Sequence, residues 1–288
     1  MPLTNGASTA ALEQASAASA APSPSPAYLQ WKRHQRMRVW SIRMTQFLLL
    51  VAFLFLWEVS ARSHWVNPML TSYPTAVWTS FAQTVADGSL WQHVWITLIE
   101  TVASFTISMV LGVLIAIVLW LSPFLDRVLD PFLVVGNALP KIALVPIFYI
   151  WLGPQWSIYG IAVAISVFIT ILMAYTGFCQ TDPNKLKLAR TFGASRLQTL
   201  QKVVLPSNLM TIIAALKANI GLALVGVIVG EFQSSKAGLG YMIQYGSQIF
   251  KMDMVMMAIV ILGIISLALY SLIQFAENAI MKTRRGAV

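Results

Sequence analysis

The stretch Thr181-Asp182-Pro183-Asn184-Lys185-Leu186-Lys187-Leu188-Ala189-Arg190-Thr191-Phe192-Gly193-Ala194-Ser195-Arg196-Leu197-Gln198-Thr199-Leu200-Gln201-Lys202-Val203-Val204-Leu205-Pro206 is a polar interruption between two apolar runs. Its residues predict two short helices. Asp182 can accept from the orphan amides of a first turn, and Pro183 at the first helical position forfeits a donor that has no partner there anyway. Gly193 can end that helix by adopting a positive φ. Ser195 with Gln198 three residues on has the pattern of a capping box for a second helix, which stops before Pro206. Taken alone, this is equally a hairpin lying on lipid headgroups and a docking element for another protein.

The flanking sequence says what the hairpin interrupts. Of 288 residues, 58% are hydrophobic and 10% charged, with a mean hydropathy of +0.73; soluble domains carry about 25% charged residues. Six apolar runs of 18 to 28 residues, Met44–Ala61, Val94–Leu121, Val128–Leu152, Ser157–Phe178, Ser207–Gly230 and Met254–Met281, are each long enough to cross a hydrocarbon core of about 30 Å as a helix. Gly153-Pro154-Gln155 predicts a tight turn between the third and fourth runs. A soluble enzyme is excluded, and an all-α membrane protein of six transmembrane helices is expected.

Charge orients these spans. Fourteen Lys and Arg fall on the side of the hairpin and three on the other, with Lys141 and Lys217 inside spans; the positive-inside rule then places both termini and the hairpin in the cytoplasm. The net charge of +9 therefore reports topology and calls for no nucleic-acid partner. Residues 1–43 are expected to form a disordered, basic cytosolic tail, its first thirty residues rich in Ala, Ser and Pro. Residues 44–281 are expected to form one transmembrane domain and 282–288 a short cytosolic tail. The basic run from Lys32 to Arg43 followed by Met44–Ala61 has the layout of a signal peptide, but the apolar run exceeds the usual signal core of about 7–15 residues and reads as a retained first span. Cys179 is the sole cysteine, and His34, His64 and His93 are too dispersed for a local metal motif.

Ala189-Arg190-Thr191-Phe192-Gly193-Ala194-Ser195, followed after ten residues by Leu205-Pro206, resembles the EAA loop of bacterial ATP-binding-cassette importer permeases, with Lys187 and Leu188 where that loop usually has Glu and Ala. Leu139-Pro140-Lys141-Ile142-Ala143-Leu144-Val145-Pro146, Gly230-Glu231-Phe232 with Gly238-Leu239-Gly240, and Ser72-Tyr73-Pro74 are similar to the branch of that family that carries nitrate, sulfonates, taurine and bicarbonate. The resemblance implies a type I importer permease (MetI-like) fold with cytosolic coupling helices, in a bacterial inner membrane. It implies Lys187, Leu188, Ala189, Arg190, Gly193, Ala194, Ser195, Leu205 and Pro206 as the surface that couples to a separate ABC ATPase subunit. Further implied partners are an extracytoplasmic solute-binding protein and a second copy of the chain. Relatives that carry thiamine-pyrimidine precursors or other heterocycles define the alternative cargo.

The chain contains no G-x-x-x-x-G-K-[ST] phosphate loop and is expected to be no enzyme. No cofactor is expected in it, ATP and Mg being used by the partner. Pro140 and Pro146 should kink or unwind an apolar span. Lys141 beside the first of them, Lys217 and Glu231 are candidates for the translocation pathway, because ionisable residues in a membrane ordinarily face a cavity or a counter-ion. Glu100 and Lys217 are expected to pair. As a relay they would instead serve an ion-coupled secondary transporter, the reading from another class. Gly226-x-x-x-Gly230 predicts close helix contact, within the subunit or at a dimer seam. Met252, Met254, Met256 and Met257 read as adaptable packing.

Overall fold

The computed structural model describes residues 25–234 and 236–285. Among them it contains helices and turns only. Helix α1 (Pro26–Arg62) is followed by the short α2 (Pro68–Thr71), α3 (Pro74–Ala86), the long α4 (Ser89–Leu121) and α5 (Pro123–Ala138). A 3-10 turn (Lys141–Leu144) leads into α6 (Val145–Cys179), and the hairpin comprises α7 (Pro183–Thr191), α8 (Arg196–Thr199) and a π-helical turn (Leu200–Val204). Then come α9 (Leu205–Ser207), α10 (Leu209–Ser234), α11 (Leu239–Gln248) and α12 (Met252–Arg285). The chain divides into two compact units at Val59–Ser60. The first contributes α1, a helix that starts at Pro26, so residues 26–43 are helical where a disordered tail was expected. Straight-chain Gln, Lys, Arg and Met fill that segment and favour helix. Residues 1–24 and 286–288, the remainder of the two expected tails, lie outside the described residues.

Five helical segments are long and apolar enough to span a bilayer, among them Lys141–Cys179 with 39 residues. That segment is two pieces. Gly153 sits at φ 76°, ψ 174° inside it, and a left-handed φ of this kind is the province of glycine. The chain doubles back there: Leu152 and Phe148 lie against Gly160, and Phe168 lies against Gly136. The expected third run thus packs antiparallel to the fourth, and its helix is interrupted. Leu139 takes an extended conformation before Pro140, as residues preceding proline tend to, and the 3-10 turn follows. Pro131 lies within α5 and Pro146 in the first turn of α6, where a proline is tolerated.

Helices α4, α6 and α10 form the centre. Gly226 is set against Ala162 and Gly230 against Ile158, with the backbone of α6 so near that an added Cβ would fall 2.5 and 2.8 Å from Cα atoms. The small-residue pattern therefore serves packing within the subunit. One apolar core joins Leu90, Ile220, Leu224, Leu239, Met242, Met257 and Leu262, with Met254 against it, so two of the four methionines are core packing, as expected. A second core at the hairpin end joins Ala116, Ala174, Phe178, Leu200 and Val204.

Candidate functional site

The hairpin folds as its caps dictate. Asp182 accepts from the amide of Asn184 at 2.8 Å, and Gly193 takes φ +74° after α7. The amide of Gln198 donates to Ser195 Oγ at 3.2 Å while the amide of Ser195 donates to Gln198 Oε1 at 2.8 Å. Leu200 and Val204 are buried against Phe178 and Ala174. Arg196 donates to the carbonyl of Leu121 at 3.0 Å, 75 residues away, which ties the hairpin to the end of α4. Three large apolar side chains stay outside among the polar ones: Leu188, Phe192 and Leu197 are 57%, 80% and 52% exposed. A shallow cavity of about 340 Å³ is lined by Leu188, Ala189, Phe192 and Val203, with Lys185 and Lys202 beside them. Of the expected coupling residues, Leu188 and Ala189 line it. Lys187, Arg190, Gly193, Ser195 and Pro206 are exposed, and Ala194 and Leu205 are half-buried.

The membrane-embedded candidates do not converge. Lys141 donates to the carbonyl of Asn137 at 2.8 Å and stands 5.3 Å over the Phe168 ring. Pro140 and Pro146 lie on the exposed, broken crossing. Lys217 pairs with Glu277 of α12 and lies 5.8 Å over Tyr270. The expected Glu100–Lys217 pair is therefore not formed, because a closer carboxylate arrives on a helix 60 residues later; the relay it would have formed is absent too.

Glu231 is 1% exposed and serves as an anchor. Its Oε1 accepts from Thr97 Oγ1 at 2.6 Å and its Oε2 from the amide of Gly240 at 2.5 Å. The amide of Tyr241 also donates to it, and the Glu100 side chain lies beside it. Leu239 donates its amide to Thr97 Oγ1 at 2.8 Å, and Gly238 to His93 Nδ1 at 2.9 Å. Gly238 and Gly240 must lack side chains, since a Cβ on either would fall 2.3 to 2.7 Å from this carboxylate. The loop into α11 is thus folded around Glu231.

Sequence reasoning missed Thr97, Asn219 and Glu277. Asn219 is buried and donates to Ser108 Oγ at 3.1 Å and to Thr170 Oγ1, which joins α10 to α4 and α6. The signal was there. Thr97, Glu100, Thr101, Ser104 and Ser108 recur at helical spacing within an apolar run, and all are buried.

At the end opposite the hairpin, a cleft of about 730 Å³ opens between the outer part of α4, the Gly153 turn and Lys236. Glu100 lies in its wall.

These features, a multi-pass helical core with an anchored amphipathic hairpin at one end and a cleft at the other, define a membrane transport subunit. Residues 108–285 match the model of the binding-protein-dependent transport system inner membrane component family, and the chain belongs to that family. A probable ABC transporter permease of Haemophilus influenzae is 34% identical over 187 residues, covering 63% of this chain and 74% of its own. The putative aliphatic sulfonates transport permease of Bacillus subtilis is 25% identical, covering 84% and 88%. The formylaminopyrimidine transport permease of Halalkalibacterium halodurans is 27% identical, covering 85% and 97%. Among solved structures, an inward-facing form of the MetNI methionine ABC transporter superposes with a TM-score of 0.56 at 20% identity, over 68% of this chain and 95% of that one. The fold is that of a MetI-like permease, and the chain is a permease component of an ABC importer.

Proposed function

We propose that two copies of this chain enclose a solute pathway, and that a separate ATPase subunit grips the hairpin of each. The hairpin faces the cytoplasm with both termini, and ATP and Mg are consumed on the ATPase. A solute-binding protein delivers cargo to the opposite face. Closure of the ATPases would draw the two hairpins together and exchange an inward-open for an outward-open state, a shift between two populations. The observation that carries this reading is the pairing of three exposed apolar side chains, Leu188, Phe192 and Leu197, with a rigid attachment through Arg196, Leu200 and Val204. A surface meant only for lipid headgroups would not need a hydrogen bond to the end of α4. For cargo, the relatives named for aliphatic sulfonates and for formylaminopyrimidine set the range. A small organic solute of the sulfonate, nitrate or taurine type, or a pyrimidine heterocycle, falls within it.

The test is co-purification of the ATPase with wild type and with Gly193→Pro, Ala189→Asp and Leu197→Asp. Each substitution should abolish binding and uptake. Uptake by the purified chain alone, or full binding by all three variants, overturns the assignment.

A further inference from the structure

We infer that Asn208, at the foot of the hairpin, is the positioning residue that passes the pull of an ATPase on the hairpin to α6 and α10 as one unit. The inference rests on the docking proposed above and assigns a part that meets neither the ATPase nor the solute, since Asn208 and its partner Thr181 are only 7% and 5% exposed.

The two legs of the hairpin differ in stiffness. The first leaves α6 through Gln180 and Thr181, whose amides donate to the carbonyls of Thr176 and Phe178. The second returns through the π-helical turn Leu200–Val204 and then Pro206. A widened turn is a marginal helix, and a proline has no amide to give to the turn before it. Asn208, at φ −101° and ψ 12°, ends α9 before α10 begins at Leu209. A force applied at Leu188, Phe192 and Leu197 would therefore bend the second leg here before it moved α10.

Asn208 splints that break. Its Nδ2 donates to the carbonyl of Val204 at 2.9 Å and to Oγ1 of Thr181, 27 residues earlier, at 2.7 Å; its own amide donates to the same Val204 carbonyl at 3.0 Å. A carbonyl only accepts, so the side-chain nitrogen must face Val204. One side chain thus bridges the break in the second leg and joins that leg to the first. The clamp lies where the long helices meet: a Cβ on Gly177 of α6 would fall 2.7 Å from Thr211 Cγ2 of α10 and 3.4 Å from Asn208 Oδ1. Buried bonds of this kind are stronger than they would be in water, so the link is stiff. Arg196 adds the tie to Leu121 of α4, and the hairpin is joined to all three central helices.

The test uses the full chain assembled with its ATPase in nanodiscs. It carries Ile96→Cys as a reporter in the cleft opposite the hairpin and Cys179→Ser to remove the native thiol. About 37 Å of α4 separates Ile96 from Leu121. The readout is the rate of maleimide labelling without nucleotide and with ATP plus vanadate. The reporter chain and its Thr181→Ser form, which keeps the acceptor, should differ by at least about fivefold between the two conditions. Thr181→Val keeps the shape and removes the acceptor. It and Asn208→Ala should bind the ATPase and hydrolyse ATP within about twofold of the reporter chain, yet show a labelling difference under about twofold. A contact that only stabilised the fold would leave the difference intact. Equal rates in the reporter chain, or an unaltered response in Thr181→Val, overturns the proposal. So does loss of ATPase binding in Thr181→Val while Thr181→Ser binds, and this serine–valine comparison decides the matter if Asn208→Ala fails to fold. Failure of the reporter chain itself to bind an ATPase would remove the docking reading, and the proposal with it.

Discussion

Replacing Glu231 by Ala should release the loop that carries α11 and destabilise the whole subunit. The carboxylate takes amide donors from Gly240 and Tyr241 and a hydroxyl from Thr97. The hydroxyl can turn to the carbonyls of its own helix, so the stranded groups are the two amides. Each buried donor without a partner costs about 1–3 kcal/mol, and the loss should be about 4 kcal/mol in all. Glu231→Gln keeps one acceptor oxygen but turns an N–H₂ toward the second amide, so its loss should be about half that. Two measurements follow the change. Unfolding by SDS titration in mixed micelles gives the global loss, and trypsin cleavage after Lys236, an exposed residue of the loop, gives local release. Cleavage should accelerate by at least about tenfold in Glu231→Ala, as expected for a segment whose opening free energy has fallen by more than about 1.4 kcal/mol. A loss under about 1 kcal/mol with unchanged cleavage, or Gln less stable than Ala, would refute the anchoring role.

The Lys217–Glu277 pair should behave as a partly buried ion pair. Lys217→Met or Glu277→Leu alone should cost about 3 kcal/mol, and the double variant should recover to within about 1 kcal/mol of wild type in the same SDS titration; additive losses would contradict that pairing. Gly226→Leu should separate α10 from α6, since its Cβ alone would fall 2.5 Å from the Ala162 backbone. A loss of about 1–3 kcal/mol is expected, as for overpacked cores, and is checked by thermal unfolding in nanodiscs. Phe192→Asp should leave stability within about 0.5 kcal/mol of wild type, because the side chain is 80% exposed, yet abolish ATPase co-purification. Arg196→Ala removes the tie to Leu121 and should leave the ATPase bound while uptake falls, measured in proteoliposomes holding the assembled complex.

The parts of this protein legible in its sequence are those whose partners are near in the chain. Asp182, Gly193, Ser195 and Gln198 find theirs within a few residues, so the hairpin could be drawn from spacing alone. The turn at Gly153 and the break before Pro140 follow equally from local backbone restrictions. Membrane-embedded charges are different, because hydropathy fixes which residues share a depth and says nothing about which helix faces which. Lys217 and Glu100 were the natural pair on that basis, yet each found another partner, Glu277 and Glu231. Glycine supplied a clue that hydropathy did not. Gly238 and Gly240 flank Leu239 a few residues beyond Glu231, and in the structure their missing side chains are the room in which that carboxylate sits. A glycine pair shortly after an acid at the end of an apolar run is thus physically informative: it marks a loop folded around the acid, which leaves Glu231 1% exposed and its neighbour, Glu100, as the carboxyl that lines the cleft.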